Sequence, residues 1–536
     1  MLKTCLLLVV LLINHQSAFC NDGQDFYTSV AGLESLLKTE EVLLKDFSDF
    51  IESTKLQVAS YESELLQIAK EHETASNDTD NYLTNPVNAF RLIKRLYSDW
   101  SAFEERVRQD VYGTYFVERF AEHRKNYKFP TEDDVEGSAL ALVRLQETYQ
   151  LDVTQVAAGI LNGVKYGSDM SWQDCFILGQ QLYAVEDYNH TTKWLKESMN
   201  RLNKEIYSKE PISLDYKEGV AESMLQLGDF ADAYQLSNEV LTLDPDRVKA
   251  WDIKDRALRS MERGVQPKIQ PKANSYHDSE EFKVYEQLCR GEVVATSAQL
   301  RPLRCRYVTN NVGYRLLAPF KVEEQSLEPM VWTIHDVLAD KKIETLKQMA
   351  GPRMVRSTVN NSKQKGLGAR KNYRISKNAW LNYSTHPYMM EMLNSVHDLT
   401  GLNMSSSEQL QVANYGLGGH YEPHFDFFTS NIEQLGGDGN RIATAIFYLS
   451  DVEQGGATAF PYLNIAVKPQ KGNVLFWYNL HRSLDLDFRT KHAGCPVLKG
   501  SKWIGNVWIH EQTQAFARPC ALERDYELSL PFRIVR

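Results

Sequence analysis

At 536 residues the chain exceeds what one hydrophobic core supports, and two to four domains are expected. Its 43% hydrophobic, 24% charged and 11% aromatic residues are ordinary for a soluble globular protein. A formal net charge of −10 leaves no dominant basic surface, which argues against nucleic acid as a partner.

The chain begins MLKTCLLLVVLLINHQSAFCNDG, with one Lys before an apolar run from Cys5 to Ile13 and small residues near Ala18 and Cys20. That is the pattern of a secretory signal peptide over residues 1–20. The run is too short to cross ~30 Å of hydrocarbon, and no later run is long enough, so no membrane span is expected. Cys175, Cys289, Cys305, Cys495 and Cys520 then remain. An odd count in an oxidising compartment predicts two disulfides and one free thiol. Local spacing favours Cys289–Cys305 and Cys495–Cys520, with Cys175 alone in an apolar helix. Sequons at Asn77, Asn189, Asn360, Asn382 and Asn403 are candidate glycosylation sites. The terminal PFRIVR is not a retention signal, so residence in the endoplasmic reticulum would require another holding element.

Val30, Leu37, Leu44, Ile51, Val58 and Leu65 recur every seven residues, and Leu33, Phe47, Tyr61 and Ile68 fill many of the intervening seam positions. Glu40 and Thr54 interrupt the seam. The pattern predicts a helical dimerisation region over 21–135 that associates as a coiled coil, or else an amphipathic helix covered by its own domain. KFPTEDD (128–134) breaks the helical texture. Residues 138–260 read as helical, and segments 174–199 and 219–246 resemble each other. Each has a Leu-Gly element, then an aromatic (Tyr188, Phe230), then a second helix, as in tetratricopeptide repeats. Tyr183 and Tyr188 are candidates to line a peptide groove, or are core aromatics.

Residues 261–329 are expected to be a linker region, with ERGVQPKIQPKANSYHDSE (262–280) polar and proline-bearing. From residue 330 the texture becomes short β-rich runs between glycine turns: LQVANYG, RIATAIFYLS, NIAVKPQKGNVLFWYNL and KWIGNVWIH. Such spacing suggests an antiparallel sandwich or jelly roll over 330–520, with residues 521–536 as a tail.

Within ANYGLGGHYEPHFDF (413–427), His424 and Asp426 stand at i and i+2 and share one face of a strand. One further His would complete a 2-His-1-carboxylate face, which leaves iron positions free. His481, His492 and His510 are the downstream candidates. Lys502, ten residues beyond His492, could grip the far end of a dicarboxylic cosubstrate. Gly416, Gly418 and Gly419 read as the turn that sets this strand in register.

Residues 330–520 resemble the Fe(II)- and 2-oxoglutarate-dependent dioxygenases. The whole mature chain resembles the collagen prolyl 4-hydroxylase α-subunit family. The resemblance is carried by QVANYGLGGHYEPHFDF, NRIATAIFYLSDVEQGGATAFP, KGNVLFWYNL and KHAGCPVLKGSKWIGNVWIHE, and by the order of modules. It implies a helical and coiled-coil N-terminal region, an all-α tetratricopeptide-like peptide-substrate-binding domain, and a double-stranded β-helix dioxygenase domain. It implies that His424, Asp426 and His492 hold Fe(II), and that Lys502 pairs with 2-oxoglutarate. Tyr415, Thr444, Tyr448 and Trp508 match positions near the cosubstrate, whereas His420 matches a variable position and is read as no ligand. Lys at 502 favours the prolyl enzymes, since the lysyl hydroxylases use Arg there.

The implied activity is 4-hydroxylation of proline in collagen-like X-Pro-Gly sequences, with O2 as oxidant and 2-oxoglutarate converted to succinate and CO2. L-ascorbate is the implied rescuing reductant. The implied partner is protein disulfide isomerase, in an α2β2 tetramer in the endoplasmic reticulum lumen. A dioxygenase acting on another peptidyl residue, or a peptide-binding scaffold with an inactive barrel, are the competing readings.

Overall fold

Residues 26–53, 59–108, 114–204, 211–265, 276–293, 295–357, 373–429 and 438–522 are described by the structure, a computed structural model. Helices α1 (Val30–Ser53) and α2 (Ala59–Asn77) run antiparallel, with Phe47 edge-on to Tyr61 at 6.2 Å and His72 3.4 Å from Glu40. They pack on α3 (Pro86–Lys94), α4 (Trp100–Arg108), α5 (Thr114–Asn126) and α6 (Glu132–Tyr149) in one core that includes Leu33, Phe47, Phe90, Trp100 and Phe120.

The heptad seam from Val30 to Ile51 is packed against helices of the same chain, the second of the two expected arrangements. Val58 lies outside the described residues. Periodicity marks an apolar stripe but does not specify which helix covers it. Glu40, the polar exception in the seam, is fully buried and accepts a hydrogen bond from Arg95 at 3.0 Å.

Two helical hairpins follow, α7 (Trp172–Ala184) with α8 (Tyr188–Lys204) and α9 (Pro211–Leu227) with α10 (Phe230–Leu243), then α11 (Val248–Glu262). The Leu-Gly element of the first repeat has a packing reason: a Cβ on Gly179 would sit 2.9 Å from Leu195 of the facing helix. A short β-hairpin, Ile160–Leu161 with Val164–Lys165, interrupts the stretch that read as continuous helix. Cys175 is buried in α7, and desolvation pushes its thiol up.

The expected linker is largely structured. Helix α12 (Glu280–Arg290) packs on the second domain, and β1 (Cys305–Val308) and β2 (Phe320–Ser326) open its main sheet. That sheet has nine strands in the order β1-β2-β3-β11-β8-β13-β6-β5-β4. The further members are β3 (Val331–His335), β4 (Val355–Arg356), β5 (Lys377–Leu381), β6 (Leu410–Tyr415), β8 (Arg441–Tyr448), β11 (Val474–Tyr478) and β13 (Lys502–His510). A four-stranded sheet, β10-β9-β12-β7, faces it, built from β7 (Tyr421–His424), β9 (Thr458–Phe460), β10 (Ile465–Val467) and β12 (His492–Gly494).

Side-chain alternation sorts the faces. Ala443, Ala445 and Phe447 join the core under α13 (Asp340–Ala350) and α14 (Pro387–Thr400), whereas Ile446 and Tyr448 point between the sheets with Trp477, Phe460 and Tyr415.

The disulfide is Cys289–Cys495, joining α12 to the end of β12, and Cys305 and Cys520 are exposed free thiols. This corrects both expected pairs. Folding lays α12 across the small sheet, so sequence-distant sulfurs meet while the locally spaced ones do not.

The helical region also docks on the β domain near its strand ends. Gly416 N donates to Thr28 O (3.0 Å), Gly500 N to Thr84 O (3.1 Å) and Tyr149 Oη to Pro496 O (2.5 Å). A Cβ on Gly416 would lie 2.5 Å from Ser29 N, so this glycine makes room for the neighbouring chain segment beyond shaping a turn.

Candidate metal and cosubstrate site

β7 and β12 pair antiparallel with His424 opposite His492. Their rings stand 4.4 Å apart, and Asp426 lies two residues beyond the end of β7. One ligating atom from each of His424, Asp426 and His492 lies within 4.8 Å of the others, with His424 Nε2 3.7 Å and His492 Nε2 3.5 Å from the Asp426 oxygens. Both imidazoles are oriented alike: His424 Nδ1 donates to Glu422 O (2.8 Å) and His492 Nδ1 to Thr490 O (3.0 Å). That leaves each Nε2 facing the shared point, with the backbone carbonyls holding each ring as a metal-binding imidazole is held.

Burial and the neighbouring His492 hold His424 well below the usual imidazole range, in the neutral form a metal requires. Burial opposes ionisation of Asp426, but His492, His424 and Arg441 outweigh it and bring its carboxyl to about 2. Two imidazole Nε2 atoms and one carboxylate converging on one point fit a divalent iron.

Of the other candidates, His510 uses both ring nitrogens elsewhere, at 2.9 Å from Glu408 and 2.8 Å from Gly439 O. His481 lies 3.7 Å from Asp487, and His420 lines a separate cavity with Arg144, Glu147 and His277.

Lys502 begins β13 with its Cα opposite Tyr415, and its Nζ sits 5.3 Å from the Tyr415 ring centre. It is 2% exposed, and burial alone lowers it to about 7, with no carboxylate among the described residues offsetting that cost. An uncompensated ammonium inside a barrel fits an anionic ligand. Trp508 offers a buried indole N–H directed toward the Asp426 carboxyl, which it helps to hold low. Tyr448 Oη is engaged with Thr458 Oγ1 at 2.8 Å.

Thr444 donates from Oγ1 to Asp426 Oδ2 at 2.7 Å. Tyr183 and Tyr188 stand apart from this site, in the helical repeats. Their rings are 5.7 Å apart, half-buried beside Tyr216, Phe230 and Tyr234.

Several neighbours were not singled out in the sequence. Tyr421 stacks on His424 at 3.5 Å, and Trp477 meets His492 edge-on at 4.6 Å. Segment 276–290 straps both metal-bearing strands from outside. His277 pairs with Glu422 (3.1 Å), Glu281 accepts from Lys491 (2.5 Å) and Tyr462 (2.5 Å), and Cys289 is bonded to Cys495. Position 281 carried no motif, so only the fold reveals it.

Asn77, Asn189, Asn382 and Asn403 are exposed, and Asn360 lies outside the described residues. Among the described residues no helix is long and apolar enough to cross a membrane.

Three family descriptions match the chain. Residues 29–163 match the prolyl 4-hydroxylase α-subunit N-terminal region, 172–262 the prolyl 4-hydroxylase peptide-substrate-binding domain, and 410–510 the 2OG-Fe(II) oxygenase superfamily. The chain is 38% identical to prolyl 4-hydroxylase subunit alpha-1 of Homo sapiens over 520 residues, covering 93% of this chain and 96% of that one. It is 37% identical to subunit alpha-2 of Gallus gallus, covering 92% and 95%, and 36% identical to subunit alpha-2 of Caenorhabditis elegans, covering 94% of each. A solved viral collagen prolyl hydroxylase from Paramecium Bursaria Chlorella virus-1, a 2OG complex, is 26% identical with a TM-score of 0.27, covering 33% of this chain and 94% of that one.

Proposed function

The chain belongs to the prolyl 4-hydroxylase α-subunit family, and on that premise we propose a division of labour among its residues. His424, Asp426 and His492 hold Fe(II), and Lys502 neutralises the distal carboxylate of 2-oxoglutarate. Tyr415 and Trp508 border that cosubstrate, and Tyr448 braces the same wall through Thr458. The bound iron and 2-oxoglutarate supply, with O2, the oxidation that hydroxylates C4 of a peptidyl proline and yields succinate and CO2. The protein orients the ligands, keeps the His424 imidazole neutral and excludes water from the barrel. L-ascorbate restores iron oxidised without substrate turnover.

The substrate is a collagen-like chain bearing X-Pro-Gly. Its extended polyproline II form suits an aromatic surface such as that around Tyr183 and Tyr188 in the helical repeats, within the proposed 138–260 binding domain. The relatives are named as subunits, which supports assembly with a further chain. Protein disulfide isomerase, in an α2β2 tetramer in the endoplasmic reticulum lumen, is the assembly proposed. Self-association through the N-terminal helices is part of the same proposal.

The observation that carries the reading is the convergence of His424, Asp426 and His492 in a barrel that also holds an uncompensated Lys502. The test is product analysis after incubation with (Pro-Pro-Gly)-type and elastin-like peptides. 4-Hydroxyproline in the first, with matching succinate, supports the reading. Hydroxylysine, or 4-hydroxyproline confined to the elastin-like peptide, would replace it with another peptidyl dioxygenase.

A further inference from the structure

Asp426 is held by a hydrogen-bond chain that leads away from the metal face into the main sheet. Thr444 Oγ1 donates to Asp426 Oδ2 (2.7 Å), Asn479 Nδ2 donates to Thr444 Oγ1 (2.9 Å), and Trp477 Nε1 donates to Asn479 Oδ1 (2.7 Å). Trp477 and Asn479 are fully buried, and Thr444 and Asp426 nearly so. The Asn479 backbone is fixed as well, its N–H donating to Ile442 O at 2.8 Å and its carbonyl accepting from Asp487 N at 3.1 Å.

The direction of this chain is set by chemistry at its far end. An indole N–H can only donate, so the Asn479 carbonyl must face Trp477 and its amide NH2 must face Thr444. A hydroxyl that accepts from that NH2 has its single proton free, and the remaining acceptor is Asp426 Oδ2. The proton on Thr444 therefore points at Oδ2 of the carboxylate, and the orientation it fixes leaves Oδ1 3.7 Å from His424 Nε2 and Oδ2 3.5 Å from His492 Nε2. The same Trp477 presents its ring edge-on to His492. One indole thus bears on two of the three converging side chains, through its N–H on one side and its ring on the other.

We propose that Asn479 and Trp477 are positioning residues that fix the orientation of the Asp426 carboxylate through Thr444, and that Thr444 serves the metal ligand rather than the cosubstrate. This rests on the reading of His424, Asp426 and His492 as the iron face.

The test is anaerobic titration of the full-length chain with Fe(II) alone, followed by the KM for 2-oxoglutarate at saturating Fe(II). Thr444→Val and Asn479→Leu should each weaken Fe(II) binding by about 10–100-fold, the usual effect of removing an outer-shell partner. The KM for 2-oxoglutarate should stay within about threefold in both. Thr444→Ser, which keeps the hydroxyl, should restore Fe(II) binding to near wild type. Trp477→Phe keeps the ring against His492 and removes only the N–H, so it carries the test if Asn479→Leu fails to fold. It should weaken Fe(II) binding in the same direction.

Wild-type Fe(II) affinity in Thr444→Val and Trp477→Phe would overturn the proposal, as would a raised KM for 2-oxoglutarate with Fe(II) affinity intact. Asp426→Ala separates the two layers. If it leaves Fe(II) binding unchanged, the iron face itself is wrong; if it abolishes binding while the other variants keep it, only the positioning chain is wrong.

Discussion

Lys502 and Tyr415 face each other across neighbouring strands, the ammonium 5.3 Å from the ring centre and without a carboxylate partner among the described residues. Burial lowers Lys502 from 10.5 to about 7, which corresponds to roughly 5 kcal/mol against the charged form. A dicarboxylate that brings its own negative charge removes much of that penalty on binding.

The first prediction concerns pH. Between about 7 and 10.5 the unfolded chain keeps this proton and the folded, ligand-free protein does not. The cost to stability is therefore fully present below pH 7 and is relieved as pH rises through that window. Affinity for 2-oxoglutarate should show the reverse: flat below pH 7, then falling about tenfold per pH unit as the free site loses its proton. Calorimetric titration from pH 6 to 9 checks this, and an affinity independent of pH contradicts it.

Lys502→Met should raise the KM for 2-oxoglutarate by at least ~100-fold, the scale of deleting one partner of a buried charge pair. Fe(II) affinity should be unaffected. The ligand-free variant should also melt at a higher temperature than wild type, because an unpaired buried ammonium has been removed. A lower melting temperature would mean that Lys502 has a structural partner.

The strap over the metal strands gives a third expectation. Glu281→Ala removes the acceptor of Lys491, Tyr462 and Tyr276, and should cost about 1–3 kcal/mol of stability. Because Lys491 adjoins His492, Fe(II) binding should weaken with it. Denaturant melts together with Fe(II) titration report both, and a change in stability without one in Fe(II) binding would confine Glu281 to a structural role.

The cysteines provide a fourth. Peptide mapping without reduction should recover Cys289 joined to Cys495, and alkylation of the native protein should modify Cys305 and Cys520 but spare buried Cys175. Recovery of Cys289–Cys305 and Cys495–Cys520 would contradict the arrangement.

What was legible in the sequence divides by range. His424 and Asp426 could be placed on one face because strand alternation is a local rule, and the same rule turned Thr444 and Tyr448 inward. What Thr444 touches was not legible, since Asp426 reaches it only after the two sheets close. Choosing His492 over His510 needed the family resemblance. In the fold, Glu408 and Gly439 claim both nitrogens of His510, and nothing local to it in the chain announces them. The heptads left two readings open and the disulfides were misread for one shared reason. Apolar stripes and cysteine spacings are local, while the surfaces that cover them, α2–α6 and α12, are brought in by tertiary packing. The region read as a linker shows the same limit, because polar, proline-bearing chain around 262–280 gave no sign of the helix and strands beyond it.

The central claim is that His424, Asp426 and His492 together hold the iron that hydroxylates peptidyl proline. The most direct measurement is Fe(II)- and 2-oxoglutarate-dependent formation of 4-hydroxyproline in a (Pro-Pro-Gly)-type peptide by wild type and by His492→Ala at matched protein concentration. The account predicts product from wild type and none above background from His492→Ala, with the variant's fold intact by circular dichroism. Turnover by His492→Ala at the wild-type rate, or no 4-hydroxyproline from wild type, would contradict it.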